Sequence, residues 1–457
     1  MKHSKPTQSI TEGVIWRQLL LFFFPILMGS FFQQLYNTVD TIIVGRAVGT
    51  DALAAVGAAS PIISLLNGFF IGLSSGATVI LSQVYGANDR EGVRKCVHTG
   101  MALAVVLGLI ITALGLGLTE RVLILANTPA DCLDDAILYC RIYFTGSVAS
   151  IVYNMGAGIL RAMGDSQRPM IFLILSCFAN ILLDILLVVV LPLGIAGAAW
   201  ATVLAQVLSA VLVVWVLRRQ PGPGQLHWRE VRFDQPLLAS ILRLGIPAGL
   251  QYVLFDVSNL IIQSGINTFG STVVAAWTAY LKTDALNWMI CSAFGVAVTT
   301  FVGQNFGAQK YSRVRKSVWV CMAMSLGVVG LLSAVIVAFR YPILSIYSSD
   351  PTVIEAGAIL VLSTVTFNVL FIPVEVFGGA MRGTGYALVP TVITCLCVCV
   401  LRVAWVLFVV PYRHTIQMLT FIYPLSWAIA AVLFFLVYLR GNWLKKRIEA
   451  LGLEPET

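Results

Sequence analysis

Two carboxylates stand where a carboxylate is hardest to accommodate. Asp40 lies in QQLYNTVDTIIVG and Asp184 in NILLDILLVVV, each inside a long apolar run. An ionised Asp at the centre of a bilayer costs on the order of 3.5 kcal/mol. Such a group finds a partner or takes up a proton, and is a functional candidate by default. Asn180 lies one helical turn before Asp184, and Asn37 lies a turn from Asp40. Each pair therefore shares a helix face. Thr202, in the following run, adds a hydroxyl. Carboxylate, amide and hydroxyl together suit a proton relay, or a Na⁺ site at Asp40, Asn180 and Asp184. The structural alternative is a polar clamp holding helices together.

The second half carries a different set: Asp256, Lys282, Asp284, Glu375 and Arg402. Three acids and two bases inside apolar runs predict an internal ion-pair network, because each buried base needs a neutralising partner. That network either faces a cation or substrate, or serves packing alone. Tyr36, Tyr139, Trp277 and Trp288 can line a site for an organic cation, or can simply pack. Pro25, Pro61, Pro247 and Pro373 sit inside spans and can bend them. Other chemistry is missing from the sequence: it has no Walker motif, no GxGxxG after a strand and no HExxH. His3, His98, His227 and His414 are not spaced as ligands, and the cysteines read as small apolar fillers. No enzyme activity and no cofactor are expected.

The elements that must position these residues are membrane helices. Hydrophobic residues make up 58% of the chain and charged residues 11%, with a mean hydropathy of +0.89. A soluble domain carries about 25% charged residues, so lipid must be the solvent. About twelve runs reach the roughly 20 residues needed to cross the hydrocarbon. They lie near 17–43, 51–80, 95–118, 136–160, 170–190, 195–217, 239–265, 272–302, 317–339, 353–380, 388–410 and 416–439. The N-terminus lacks a cleavable signal. With both termini cytoplasmic, most Lys and Arg fall on the inner side, and Arg46, Arg121, Arg141, Arg340 and Arg413 fall outside. This bias is the positive-inside rule, and it makes topology rather than nucleic acid the reason for the net charge of +8.

The chain repeats itself. QVYGANDREGVRK (83–95) is echoed by QNFGAQKYSRVRK (304–316) at a spacing of 221 residues. Arg161, Gly164 and Pro169 recur at the same spacing as Arg382, Gly385 and Pro390, and Glu375 answers Asn154. Six spans repeated by six spans give two parallel lobes related by a pseudo-twofold axis along the membrane normal. The expected fold is thus all-α and integral to the membrane, with twelve transmembrane helices in two six-helix lobes. The expected domains are residues 1–217, a Pro/Gly-rich cytoplasmic linker at 218–235, and residues 236–457. Two lobes leave a cleft that rocking would open to alternate sides.

The motifs resemble those of the multidrug and toxic compound extrusion (MATE) family. The carrying residues are Pro25 through Asp40 and Gly45, LAAVG (53–57), QVYGA (83–87), RAMGD (161–165), NILLD (180–184) and GIAGAAWAT (194–202). QNFGAQ (304–309) and MRGTG (381–385) echo them in the second half. The resemblance implies an exporter of cationic or amphipathic small molecules, driven by inward H⁺ or Na⁺, in a cell inner membrane. It implies the branch of the DNA-damage-inducible F proteins, in which Asp40, Asn180, Asp184 and Thr202 match the coupling-ion site. Organic cations, amphipathic drugs and membrane lipid are the expected partners of a monomer, and nucleic acid is not. The rival reading is a flippase of lipid-linked sugars or other amphipathic lipids, whose cleft should be more basic.

Overall fold

A computed structural model describes residues 10–126, 128–413, 415–440 and 443–450. His3 and His414 and both chain ends lie outside the described residues. The fold is helical, with no strand among the described residues. In lipid every backbone polar group must be satisfied internally, and helices do this within one segment. Among the described residues, eleven helices are long and apolar enough to cross a membrane, or up to twelve if the bent pair Ala130–Thr145 and Ser147–Ala162 is one span. Leu182 and Leu331 show the inverted polarity of such a surface, at 67% and 70% exposed.

The helices are α1 (Ile15–Ile43), α2 (Thr50–Gly86), α3 (Arg90–Leu125), α4 (Ala130–Thr145), α5 (Ser147–Ala162), α6 (Gln167–Asp184), α7 (Gly194–Arg219) and α8 (Gln235–Asn267). There follow α9 (Ser271–Gly307), α10 (Tyr311–Ala338), α11 (Arg340–Ser345), α12 (Pro351–Thr364), α13 (Ile372–Gly383), α14 (Leu388–Thr394), α15 (Leu401–Ala404), α16 (Ile416–Thr420), α17 (Ile422–Arg440) and α18 (Trp443–Ala450). The span expected at 136–160 is not one straight helix. It breaks at Gly146, between α4 and α5, with a bend of 48°. The repeat of that position falls in a tight 3₁₀ segment, Val365–Phe371, between α12 and α13. Both halves thus interrupt the same helix.

The repeat is written into the backbone. Asn88 and Gln309 are the two non-glycine residues with positive φ among those described, at 56° and 59°, and they are 221 apart. Gly49 and Gly270, and Gly164 and Gly385, are positive-φ pairs at the same spacing. Turns that demand the left-handed region recur only where the chain path recurs.

The described residues form two compact units. One comprises Phe24–Gly249. The other comprises Ile10–Phe23 and the described residues from Leu250 onward. The chain therefore changes unit inside helices, just before Pro25 in α1 and just after Pro247 in α8. Each unit holds the lead-in to one of these helices. In the first, α3 binds the linker: Arg94 Nε donates to Glu230 at 2.6 Å, and the Asp234 N–H donates to Thr99 at 3.1 Å. In the second, Arg313 at the start of α10 donates to the carbonyls of Ile10, Glu12 and Gly13. The linker is a docked strap, not a free tether.

The fork-on-fork contact of Arg94 holds the Glu230 carboxyl below its ordinary 4.5. A lowered carboxyl stays charged at neutral pH, and the strap loses this contact only as acid titrates Glu230 through the lowered value. Glu230→Gln should therefore expose Arg229 and Arg232 to trypsin several-fold faster at pH 7. Unchanged cleavage would show that the backbone contacts alone hold the strap.

The first unit's core is aliphatic, with Leu81, Val97, Leu160 and Val213 wholly buried. The second unit's is aromatic: Trp288 packs 4.8 Å from Phe371 and 6.2 Å from Trp427.

Candidate functional site

Asp40 lies near the end of α1, and Asp184 is the last residue of α6. Each is followed by a wide π-helical segment, Val44–Val48 after Asp40 and Ile185–Val190 after Asp184. The two segments pack on each other. Such bulges shift side-chain register and recur at functional sites. Here each follows an acid-bearing turn of the preceding helix. The path of α1 along α6 is fixed higher up by Phe32 against Phe178, with ring centroids 6.4 Å apart. Gly197 lets α7 close on the second bulge, since a Cβ there would fall 2.7 Å from the Leu187 carbonyl oxygen.

Asp40 and Asp184 are close enough to interact with each other. Asp184 is wholly buried and Asp40 is 6% exposed. Neither oxygen of Asp184, nor Oδ1 of Asp40, nor either amide atom of Asn180 has a hydrogen-bond partner among the described residues. Buried polar atoms are normally paired. Two facing acceptors without a donor, both charged in a dry site, would repel strongly. A proton shared between them, or a small cation held by the carboxyls and the Asn180 carbonyl, resolves the conflict. The donor set is all oxygen, as a hard cation requires. No group of three or more His, Cys, Asp or Glu suited to a metal ion occurs among the described residues.

A cavity of about 360 Å³ opens on one side of this pair, wholly within the first unit. Tyr36, Asn37, Asp40, Tyr139, Asn154 and Thr202, all expected from sequence, line it. Asp184 and Asn180 do not; both are wholly buried. Among the described residues, Asp40 is the only Asp, Glu, Lys, Arg or His on the wall. The rest is aromatic, amide, hydroxyl and aliphatic. Such a wall attracts a cation, offers ring faces to it and provides no counter-charge for an anion.

Several wall residues escaped the sequence reading. Asn67 and Gln206 both donate to the Tyr143 hydroxyl, at 2.9 and 3.3 Å. The Tyr153 hydroxyl donates to the Pro169 carbonyl at 3.2 Å. Their signal was an amide within an apolar run, in SLLNGFF and VLAQVLS. A search for ionisable groups passes over it.

The second unit corrects the expected ion-pair network. Arg402 is 1% exposed but pairs with no acid among the described residues. Its guanidinium lies over Tyr423 at 4.3 Å and Trp427 at 5.5 Å, and Nε donates to Ser426 at 3.0 Å. Aromatic faces and a hydroxyl stabilise it in place of a carboxylate. Lys282 is exposed and forms no ion pair among the described residues. Asp284 is wholly buried and satisfied by amides, with Asn368 Nδ2 at 2.7 Å and Asn287 Nδ2 at 3.0 Å. Glu375 lies 3.9 Å from Arg382, the repeat of Arg161, which the sequence reading left out of the set. Asp256 is partly buried, with no ion pair among the described residues. Trp277 and Trp288 belong to the aromatic core. The acids and bases here are therefore dispersed, each with its own kind of neighbour. Asn368→Leu removes the shorter of the two amide contacts to Asp284. It should lower stability by about 1–3 kcal/mol, read as a lower unfolding temperature in detergent.

Comparison with known proteins places the chain. The MatE family model matches residues 25–186 and 247–407, one match in each half. The probable multidrug resistance protein YoeA of Bacillus subtilis is 30% identical over 454 residues, covering 97% of this chain and 98% of that one. The probable multidrug resistance protein NorM of Thermotoga maritima is 26% identical over 455 residues, covering 98% and 97%. Among solved structures, a MOP-superfamily transporter from Pyrococcus furiosus superposes with a TM-score of 0.89 at 23% identity, covering 99% of this chain and all of that one. The fold, the repeated family match and the relatives agree: this chain belongs to the MatE family of membrane transporters.

Proposed function

We propose that the protein is a secondary antiporter that exports organic cations in exchange for H⁺ or Na⁺, with Asp40 and Asp184 as the coupling pair. One observation carries this reading: the cavity's single charged wall residue, Asp40, backs onto a second carboxyl that has no donor of its own. A cationic substrate and an incoming ion then compete for the same negative charge. Asp40 lines the cavity and meets both, while Asp184 is buried outside its wall. The multidrug-resistance names of the relatives support the substrate class. The N-lobe position of the pair supports the DNA-damage-inducible F type of coupling.

Alternating access supplies the cycle. The chain crosses between its two units at Pro25 and Pro247, where each helix lacks a backbone hydrogen bond and bends at little further cost. Rocking the lobes about these points would expose the cavity to each side in turn. Energetics favour filling both carboxyls. One H⁺ exchanged for one monovalent cation moves no net charge. Two H⁺ move one charge inward, and the membrane potential then adds about 2.3 kcal/mol per 100 mV.

The test is transport in vesicles. Reconstituted protein should move a fluorescent organic cation against its gradient when a pH or Na⁺ gradient is imposed. No gradient-dependent movement of any organic cation would reject the exporter reading. The flippase alternative needs basic groups for a phosphate, and the cavity wall has none. Movement of a labelled lipid-linked sugar, with organic cations inert, would favour it.

A further inference from the structure

A second concavity lies far from the carboxyl pair in composition and purpose. It is a trough of about 840 Å³ between α5 and α7, within the first unit. Val148, Val152, Val207, Ala210, Val211 and Val214 form its walls. Val211 is 58% exposed and Val207 40%, so the trough opens outward on the surface that faces lipid. At one end stand Arg218, Arg219, Trp215 and Trp228. Arg219 lies over the Trp215 ring at 4.7 Å, and Arg218 over Trp228 at 5.7 Å. Both indoles are half exposed.

The charges at this end are uncompensated. The linker's acids are already committed, Glu230 to Arg94 and Asp234 to Lys95. Neither Arg218 nor Arg219 takes part in an ion pair among the described residues. Two free guanidinium groups rest on two tryptophans, where α7 leaves the apolar layer and the linker begins. Tryptophan favours the headgroup level of a bilayer, and basic pockets between spanning helices at that level select anionic headgroups.

An apolar trough continuous with a pair of unpaired arginines requires one ligand that is both aliphatic and anionic. A soluble anion would leave the trough empty, and a zwitterionic lipid would leave the arginines unmatched. We propose that this trough seats one anionic phospholipid from the leaflet on the linker's side. An acyl chain lies along α5 and α7, and the phosphate is held by Arg218 and Arg219. The headgroup then also touches the strap that leads into α8, so lipid charge would bear on the linker's seating.

Native mass spectrometry of the full-length protein tests this, with phosphatidylglycerol and phosphatidylcholine of identical chains as probes. Wild-type protein should retain phosphatidylglycerol preferentially. The double variant Arg218→Gln, Arg219→Gln should lose roughly 30-fold of that preference, equivalent to about 2 kcal/mol at ~1 kcal/mol per basic residue. Its phosphatidylcholine adducts should be unchanged. Val211→Trp, which fills the trough and keeps both arginines, should weaken retention of both lipids. This second variant decides the matter if the double variant fails to fold. Equal retention of the two lipids by wild type would overturn the proposal. So would full preference in the double variant, or displacement of the lipid by inorganic phosphate.

Discussion

Asp184→Asn is expected to abolish ion-driven export and leave the protein folded. The side chain is wholly buried, its oxygens have no donor, and its neighbour is another carboxyl. An amide keeps the shape but can neither take up a proton nor neutralise a cation. Export of an organic cation against its gradient, on the order of 300-fold for one net charge at about 150 mV, should be lost. Equilibrative movement down a substrate gradient should persist, because Asp184 does not line the cavity. Unfolding temperature should be unchanged or raised, since one of two facing charges is gone. Asp40→Asn should differ in kind. Asp40 lines the cavity, so this variant should lose cation binding as well as coupling. If both variants export normally, the pair is a clamp between helices and nothing more.

Gly72→Leu should be among the most destabilising single changes in the chain. A Cβ on Gly72 would lie 2.3 Å from the Gly249 nitrogen, and one on Gly249 would lie 2.6 Å from the Phe69 carbonyl oxygen. The seam continues at Gly76, whose Cβ would meet the Ile241 carbonyl oxygen at 2.6 Å. Backbone faces backbone here, so no rotamer can yield. Overpacking a tight site costs about 1–3 kcal/mol and more where the backbone must move. Small residues permit this approach, which is how helices pack when lipid surrounds them. Thermal unfolding in detergent should show a large drop for Gly72→Leu. Gly57→Leu, on the same helix, has nothing within 4 Å of its Cβ and should be close to neutral. Equal effects would mean that helix propensity, not the seam, sets the cost.

Much of this was legible in the sequence because lipid imposes simple rules. Length and apolarity mark a span, and the spacing of 221 residues marks the repeat down to its positive-φ turns. Asp40 and Asp184 announced themselves by charge. What could not be read depended on distance across helices. Asn67 and Gln206 carry no charge and look like tolerated polar residues until Tyr143 joins them. Arg402 was expected to seek an acid, but rings from α17 reach it first. The break at Gly146 is invisible to hydropathy, because both sides of it are apolar. The linker looked like a tether from its Pro and Gly content, and its contacts with α3 are known only in three dimensions.

In the proposed cycle one pair of carboxyls serves cation and coupling ion in turn. Its most direct test is equilibrium binding of a fluorescent organic cation to the purified protein, titrated with acid and separately with Na⁺. The account predicts that one of the two ions releases the bound cation competitively. Asp184→Asn should still bind the cation but respond to that ion much less than the wild type. Binding indifferent to both ions in the wild type, or a full ion response retained in Asp184→Asn, would contradict it.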